Sequence, residues 1–305
     1  MARKLIINAD DYGYVEHIDQ AIIEAAQKCV VTSVSCFANL PFEELRTKVE
    51  KLKKMAPLVK VGLHLTVTSG KPLTFCPTLS SGNEFKANRA YRFSESLTEL
   101  KAELEAQVKN FERVVGKGKI NHLDCHHTLL YLDFGFFETM VALAKTYSLP
   151  MRSPVRVDLL PQFNGVKRLN PAVFMPSILE ALRIRPRKNF FRLLYVLKSD
   201  TVNFLAEKIK LAGLSRSDYF TLNIYGNANI EVLRVAYPLI AKNEVCEQIM
   251  HLSKPTTKKD RKNAPNGINY RYFKGRNEEF ELLMSDEFST LLTFEKSQTV
   301  RLQLV

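Results

Sequence analysis

Tryptophan is absent from this 305-residue chain, and no RNP-like aromatic motif stands in for it, so dedicated nucleic-acid recognition has little support. Cysteine is sparse. Cys29, Cys36, Cys76, Cys125 and Cys246 are scattered, odd in number and form no CxxC pair, which argues against a disulfide scaffold or a thiolate zinc site and suits a reducing compartment. No apolar run approaches the ~20 residues that a bilayer-spanning helix needs. The opening MARKLIINADD has a basic tip, but its apolar stretch is too short for the h-region of a signal peptide. A cytoplasmic location is therefore expected. Acidic residues are outnumbered, 32 against 44 basic ones, for a net charge of +12. Such a balance favours acidic partners or makes a basic, solvated surface.

What remains is an ordinary globular composition, 46% hydrophobic and 25% charged, with length enough for a sizeable core. The pattern alternates. KLIINA, VVTSVSCFAN, VKVGLHLTV, INHLDCHH, DYFTLNIYGN and CEQIMHL read as strands, being short and mostly rich in β-branched residues. Between them, EHIDQAIIEAAQKC, FEELRTKVEKLKKMA, ESLTELKAELEAQVKNFERVVG, GFFETMVALAKTYSL and NIEVLRVAYPLIAKN carry apolar residues at helical spacing. NEEFELLMSDEFSTLL reads as a last helix before a closing strand. Strands separated by helices imply βαβ units and a mainly parallel sheet, open or closed into a barrel. Residues 155–215 break the rhythm and read as a basic helical insertion. No linker divides the chain, so one domain over 1–305 is expected.

Only six histidines occur, and five fall at or near predicted strand ends: His64, His122, His126, His127 and His251. The adjacent acids Asp10 and Asp11 end a fourth strand. In parallel α/β folds these ends share one rim, where ligands and catalytic groups gather. A divalent metal held by one carboxylate and two imidazoles keeps positions open for water and substrate. A second carboxylate alongside is then placed to take a proton from water, and a further His to protonate a leaving group. The alternatives at this level are a non-haem iron oxygenase using His122, Asp124 and His251, and a glycan-binding protein that keeps the pocket without catalysis.

LIINADDYG, VVTSVS, GLHLTVTSGKPL, INHLDCHH, LPMRSP, NIYGN, EQIMH and EFELLMSDEF, in this order from Lys4 to about Leu292, resemble the YdjC/ChbG-type carbohydrate deacetylase family. The resemblance implies a distorted (β/α) TIM-like barrel, often dimeric, with residues 155–215 as the poorest match. It also implies hydrolysis of an N-acetyl group on an amino sugar or small oligosaccharide with one divalent metal ion, Mg2+ or Zn2+. Carried over by position, Asp11, His64 and His126 match the metal ligands, Asp10 the catalytic acid, and His251 the late histidine that assists the leaving group or the oxyanion. Arg152 matches an arginine that holds substrate or orients an acid. Asp124 is expected to accept the outer N–H of a ligand histidine, and His127 to line the pocket. Tyr12 replaces the usual Phe and is expected near the substrate. Thr128 and Leu130 stand where the family commonly has His, and HLSKP replaces its His-Pro-Gly or His-Pro-Ala. The metal set is thus intact and the substrate side altered. The basic insertion and the loop around Lys258, Lys259, Arg261 and Lys262 are candidates for a lid over an anionic sugar.

Overall fold

A computed structural model describes residues 3–87, 90–157, 160–164, 166, 199–258, 260, 272–297 and 302–304. Strands and helices alternate from the start: β1 (Arg3–Tyr12), α1 (Glu16–Gln27), β2 (Ser33–Phe37), α2 (Phe42–Met55) and β3 (Lys60–Leu65). A short antiparallel hairpin, β4 (Ser80–Ser81) with β5 (Glu84–Phe85), sits in the loop that follows. Then come α3 (Leu97–Val115), β6 (Leu123–Cys125), α4 (Phe134–Tyr147), α5 (Ser199–Leu211), β7 (Tyr219–Thr221), α6 (Ile230–Ala236), β8 (Val245–Met250), α7 (Phe273–Met284), α8 (Asp286–Ser297) and β9 (Leu302–Leu304). The sheet runs β6-β3-β2-β1-β8-β7, with β9 on β1, and every pair in it is parallel. Parallel bridges Leu123↔Met151 and Arg156↔Phe220 carry the pairing from β6 across to β7, the opposite end of that order. The result is an α/β fold whose curled parallel sheet is consistent with a distorted TIM-like barrel.

Alternation along the strands sorts side chains between the two faces. Leu5, Ile7, Ala9, Val34, Cys36, Leu63, Leu65 and Leu123 are buried in the apolar core with the helices. The opposite face is polar: Asn8 on β1 and Asp124 on β6 both contact Ser35 on β2, so the concave side holds a connected hydrogen-bonded layer. His122 belongs to this layer. Its Nε2 lies 3.0 Å from Ser35 Oγ, and its ring lies over Gly62, where a Cβ would come within 2.1 Å of ring atoms. Gly62 is thus required by close packing, and His122 is a packed strand residue.

The helices obey their caps. Ser96 accepts from the Glu99 N–H at the start of α3, Asp133 caps α4, and Asn229 caps α6, each satisfying amides that lack an intrahelical partner. Glu103 on α3 is buried because its carboxylate accepts from the Leu73 and Thr74 amides and from the Thr74 hydroxyl, fastening the loop beyond β3 to the helix. The segment expected as one last helix is two, α7 and α8, with Ser285 extended between them (ψ 153°). Among the described residues no helix is long and apolar enough to cross a membrane. Of the expected insertion, only its ends are described; 167–198 lie outside the described residues, as do Lys259, Arg261 and Lys262.

Candidate active site

Adjacent side chains on a regular strand point to opposite faces, so Asp10 and Asp11 should not share a site. A bulge resolves this. Between Ala9 and Tyr12 the β1–β2 register slips, and Asp11 sits at φ 74°, a left-handed conformation that Asp tolerates better than most residues. Asp10 keeps the inward parity of Asn8, while Asp11 is turned onto the rim. A second distortion follows β6, where His127 and Thr128 take φ of 58° and 53° in succession. There the chain turns sharply, and His126 comes to lie beside His64.

The three side chains meet. Asp11 Oδ1 lies 3.3 Å from His64 Nε2 and 3.1 Å from His126 Nδ1, and those two nitrogens are 3.2 Å apart. Asp11 Oδ1 is nevertheless buried without a hydrogen bond among the described residues. A buried acceptor facing two ring nitrogens is the arrangement a cation would complete, and these atoms form one of two such groups in the described chain. The residues present therefore fit a divalent ion. Phe37 backs both rings edge-on, at 5.0 and 5.1 Å between centroids, and Tyr14 stacks on Phe37.

Each group has a support behind it. His64 Nδ1 is 2.7 Å from Asp124 Oδ1, which turns Nε2 toward Asp11. Asp124 Oδ2 in turn accepts from Ser35 Oγ at 2.6 Å and pairs with Arg152 Nη2 at 2.6 Å. Burial opposes charging His64, but the Asp124 and Asp10 carboxylates and its hydrogen bonds outweigh it and push the imidazole up to about 10. Arg152 grips Asp10 through two bonds, Nη1 to Oδ2 at 2.9 Å and Nη2 to Oδ1 at 2.7 Å, and its Nε donates to Glu247 at 2.8 Å. Asn8 Nδ2 fills the remaining position on Asp10 Oδ1 at 2.6 Å. Oδ2 keeps one lone pair free among these contacts, so it is the atom able to take a proton.

His251 follows β8 on the same rim. Its amide donates to Glu279 at 2.7 Å, and its ring meets Tyr225 edge-on. Burial and then the Arg276 guanidinium lower it to about 4, so the resting ring is neutral at pH 7. His127 lies against His126 and 3.1 Å from Thr68 Oγ1; burial and the His126 charge hold it well below the usual imidazole range. Tyr12 is not brought to the site. Its ring is buried and its hydroxyl donates to the Lys48 carbonyl in α2 at 2.8 Å, because position 12 lies beyond the bulge and faces the helix layer. Nor do His122, Asp124 and His251 gather as a ligand group among the described residues.

Arg276 and Glu279 were missed by sequence reasoning. Arg276 Nη2 pairs with Asp11 Oδ2 at 2.5 Å, leaving Oδ1 to the histidines. Burial raises the Asp11 carboxyl, but Arg276 and then His126 outweigh it and hold it well below the ordinary carboxylate range. Glu279, pushed up to about 8 mainly by burial, accepts from the Tyr272 hydroxyl. The available signal was position: both charges share the buried stripe of α7 with Phe273, Phe280 and Leu283, where helical spacing calls for apolar residues.

The family model for YdjC-like proteins matches residues 4–293. A carbohydrate deacetylase of Halalkalibacterium halodurans is 34% identical over 160 residues, 50% of this chain and 65% of the relative. One of Geobacillus stearothermophilus is 36% identical over 158 residues, 51% and 61% of the two chains. A chitooligosaccharide deacetylase of Yersinia pestis is 33% identical over 156 residues, 50% and 60%. The chain thus spans about three fifths of the length of these relatives. A solved structure from Enterococcus faecalis V583, of a protein named for cellobiose-phosphate cleavage, superposes with a TM-score of 0.71 at 23% identity. It covers 100% of this chain and 98% of its own, a likeness of fold.

Proposed function

This chain belongs to the YdjC-like protein family, and from that premise we propose that it is a metal-dependent carbohydrate deacetylase, hydrolysing an N-acetyl group on an amino sugar or small oligosaccharide. One observation carries the reading: the orphaned Asp11 Oδ1 faces His64 and His126, while Asp10, its neighbour, is turned to Arg152 instead. The two acids thus have different partners and different tasks. Asp11, His64 and His126 would hold one divalent cation, Zn2+ or Mg2+, which when bound polarises the acetyl carbonyl and makes water more acidic. Asp10 Oδ2 accepts the proton of the attacking water, and Arg152 keeps that oxygen aimed between turnovers. His251, neutral at rest, donates an N–H toward the developing oxyanion and relays to the departing amine the proton that Asp10 took from water, which returns Asp10 to its carboxylate. Asp124 fixes which His64 nitrogen faces the cation. His127 lines the pocket wall.

The named activity of the relatives supports the reaction class. One continuous apolar core from Leu5 to Leu292 supports a single domain; a homodimer and a cytoplasmic location belong to the same reading. The test is mass-spectrometric: incubate the protein with N-acetylated chitooligosaccharides, with and without chelator. Loss of one acetyl unit is expected, abolished by chelation and restored by added divalent metal. Deacetylation undiminished by chelator, or none from any acetylated glycan, contradicts the reading.

A further inference from the structure

Glu247 on β8 is a charge in an apolar place. It is fully buried, and its register partners are Ile6 on β1 and Phe220 on β7. Both are buried too, so packing across these strands calls for an apolar residue at 247. The carboxylate is kept there by two guanidiniums from other parts of the chain. Its Oε1 accepts from Arg152 Nε at 2.8 Å and lies 3.6 Å from Arg216 Nη1, while Oε2 accepts from Ser217 Oγ at 3.2 Å. A buried ion pair often stabilises a fold no better than apolar packing would. Stability alone is therefore a weak reason for this one, and its connections point to Asp10.

Two arms run from Glu247 to that acid. The first is Arg152, which gives Nη1 and Nη2 to the two Asp10 oxygens. Its Nη2 also lies 2.6 Å from Asp124 Oδ2, so two acids compete for one guanidinium. The bond from Nε to Glu247 decides between them, because a planar group held at Nε presents its far edge to Asp10. The second arm is Arg216. Its Nη2 donates to Asn8 Oδ1 at 3.2 Å, which turns the Asn8 amide so that Nδ2 faces Asp10 Oδ1 at 2.6 Å. Glu247, Arg152, Asp10, Asn8 and Arg216 thus close a ring. Asp10 is its member beside Asp11, and Glu247 lies nearer the start of the strands.

We propose that Glu247 is a positioning residue for the hydrolysis: through Arg152 and Arg216 it fixes the Asp10 carboxylate in the orientation that leaves Oδ2 open to water. The step affected rests on the deacetylase reading. In the zinc-loaded protein, Glu247→Leu should lower kcat for acetate release about ten- to hundredfold, the scale of a misplaced reacting group. KM and the zinc dissociation constant should not change. Glu247→Gln, which keeps a neutral acceptor for Arg152 Nε, should fall between Leu and wild type. In the Asp10→Asn protein, Glu247→Leu should cost less than about twofold more, because its route to the reaction is already gone. Losses that multiply across the two positions, a rise in KM at unchanged kcat, or an undiminished kcat would overturn the assignment. A crystal structure of Glu247→Leu should show Arg152 moved from Asp10 toward Asp124, and both Asp10 bonds intact would overturn it as well. If wild type releases no acetate, the reaction class falls, while the hold of Glu247 on Asp10 stands or falls with that Arg152 shift. Should Glu247→Leu not fold, Glu247→Gln and Arg216→Met carry the same comparison. Each should lower kcat about threefold or more in the presence of Asp10 and not in Asp10→Asn; unchanged kcat in both would remove the role.

Discussion

Asp10→Asn is expected to lower acetate release about 10²–10⁴-fold, the usual contribution of a positioned general base, while metal content stays near wild type and the melting temperature falls, because Arg152 loses one buried counter-charge. The expectation follows from the separation of the two acids. Asp10 Oδ1 is filled by Asn8 and Arg152, and Oδ2 accepts one Arg152 N–H with a lone pair to spare. An amide of the same shape has no basic oxygen to offer water. It also turns one N–H against the guanidinium or surrenders one of its two bonds. Asp11, with Arg276 on one oxygen and the histidines at the other, is untouched. Steady-state kinetics beside a metal assay check this. A fall smaller than tenfold would remove Asp10 from proton transfer, and metal loss would place it among the ligands.

The second large effect is at a residue that meets no substrate. Asp124 joins His64, Ser35 and Arg152 beneath the rim, and the Arg152 charge leads the forces that hold its carboxyl well below its ordinary range against burial. Asp124→Ala should weaken metal binding about 10–100-fold, as loss of a carboxylate behind a ligand histidine commonly does. It should also cost about 3–5 kcal/mol of stability, because Arg152 then loses a buried counter-charge and His64 Nδ1 its buried partner. Asp124→Asn keeps an acceptor for His64 Nδ1 and should lose less metal affinity than Ala. Competitive metal titration and urea denaturation measure the two effects. Equal metal affinity in wild type, Asn and Ala proteins would mean that His64 is oriented by packing against Phe37 alone.

The strand–helix alternation was legible because each element carries its own period: buried β-branched runs for β1, β2 and β3, and apolar stripes for α1, α2 and α3. The rim positions of Asp10, Asp11, His64, His126 and His251 followed from the parallel arrangement that alternation implies. What was hidden depends on backbone irregularity or distant pairing. No local pattern announces that the chain bulges between Ala9 and Tyr12, so the backbone turn that lets two adjacent acids both reach the site, and the removal of Tyr12 to the α2 side, could not be read. The double left-handed turn at His127 and Thr128 is equally silent, since a β-branched Thr gives no sign of that conformation. Arg276 is 265 positions from the acid it pairs with. Its one local clue, a charge in an apolar stripe, is weak because long basic side chains often cover apolar surface while their heads reach water. The strand run INHLDCHH shrinks to Leu123–Cys125 because His126 begins the turn that serves the site.

Crystals grown or soaked with Zn2+ and measured across the zinc absorption edge test the central claim most directly. The account predicts one strong anomalous peak touching Asp11 Oδ1, His64 Nε2 and His126 Nδ1, at about 2.0–2.2 Å from each, with Asp10 still on Arg152 and outside the coordination sphere. A peak elsewhere, or one that takes Asp10 as a ligand while His64 or His126 turns away, would contradict it.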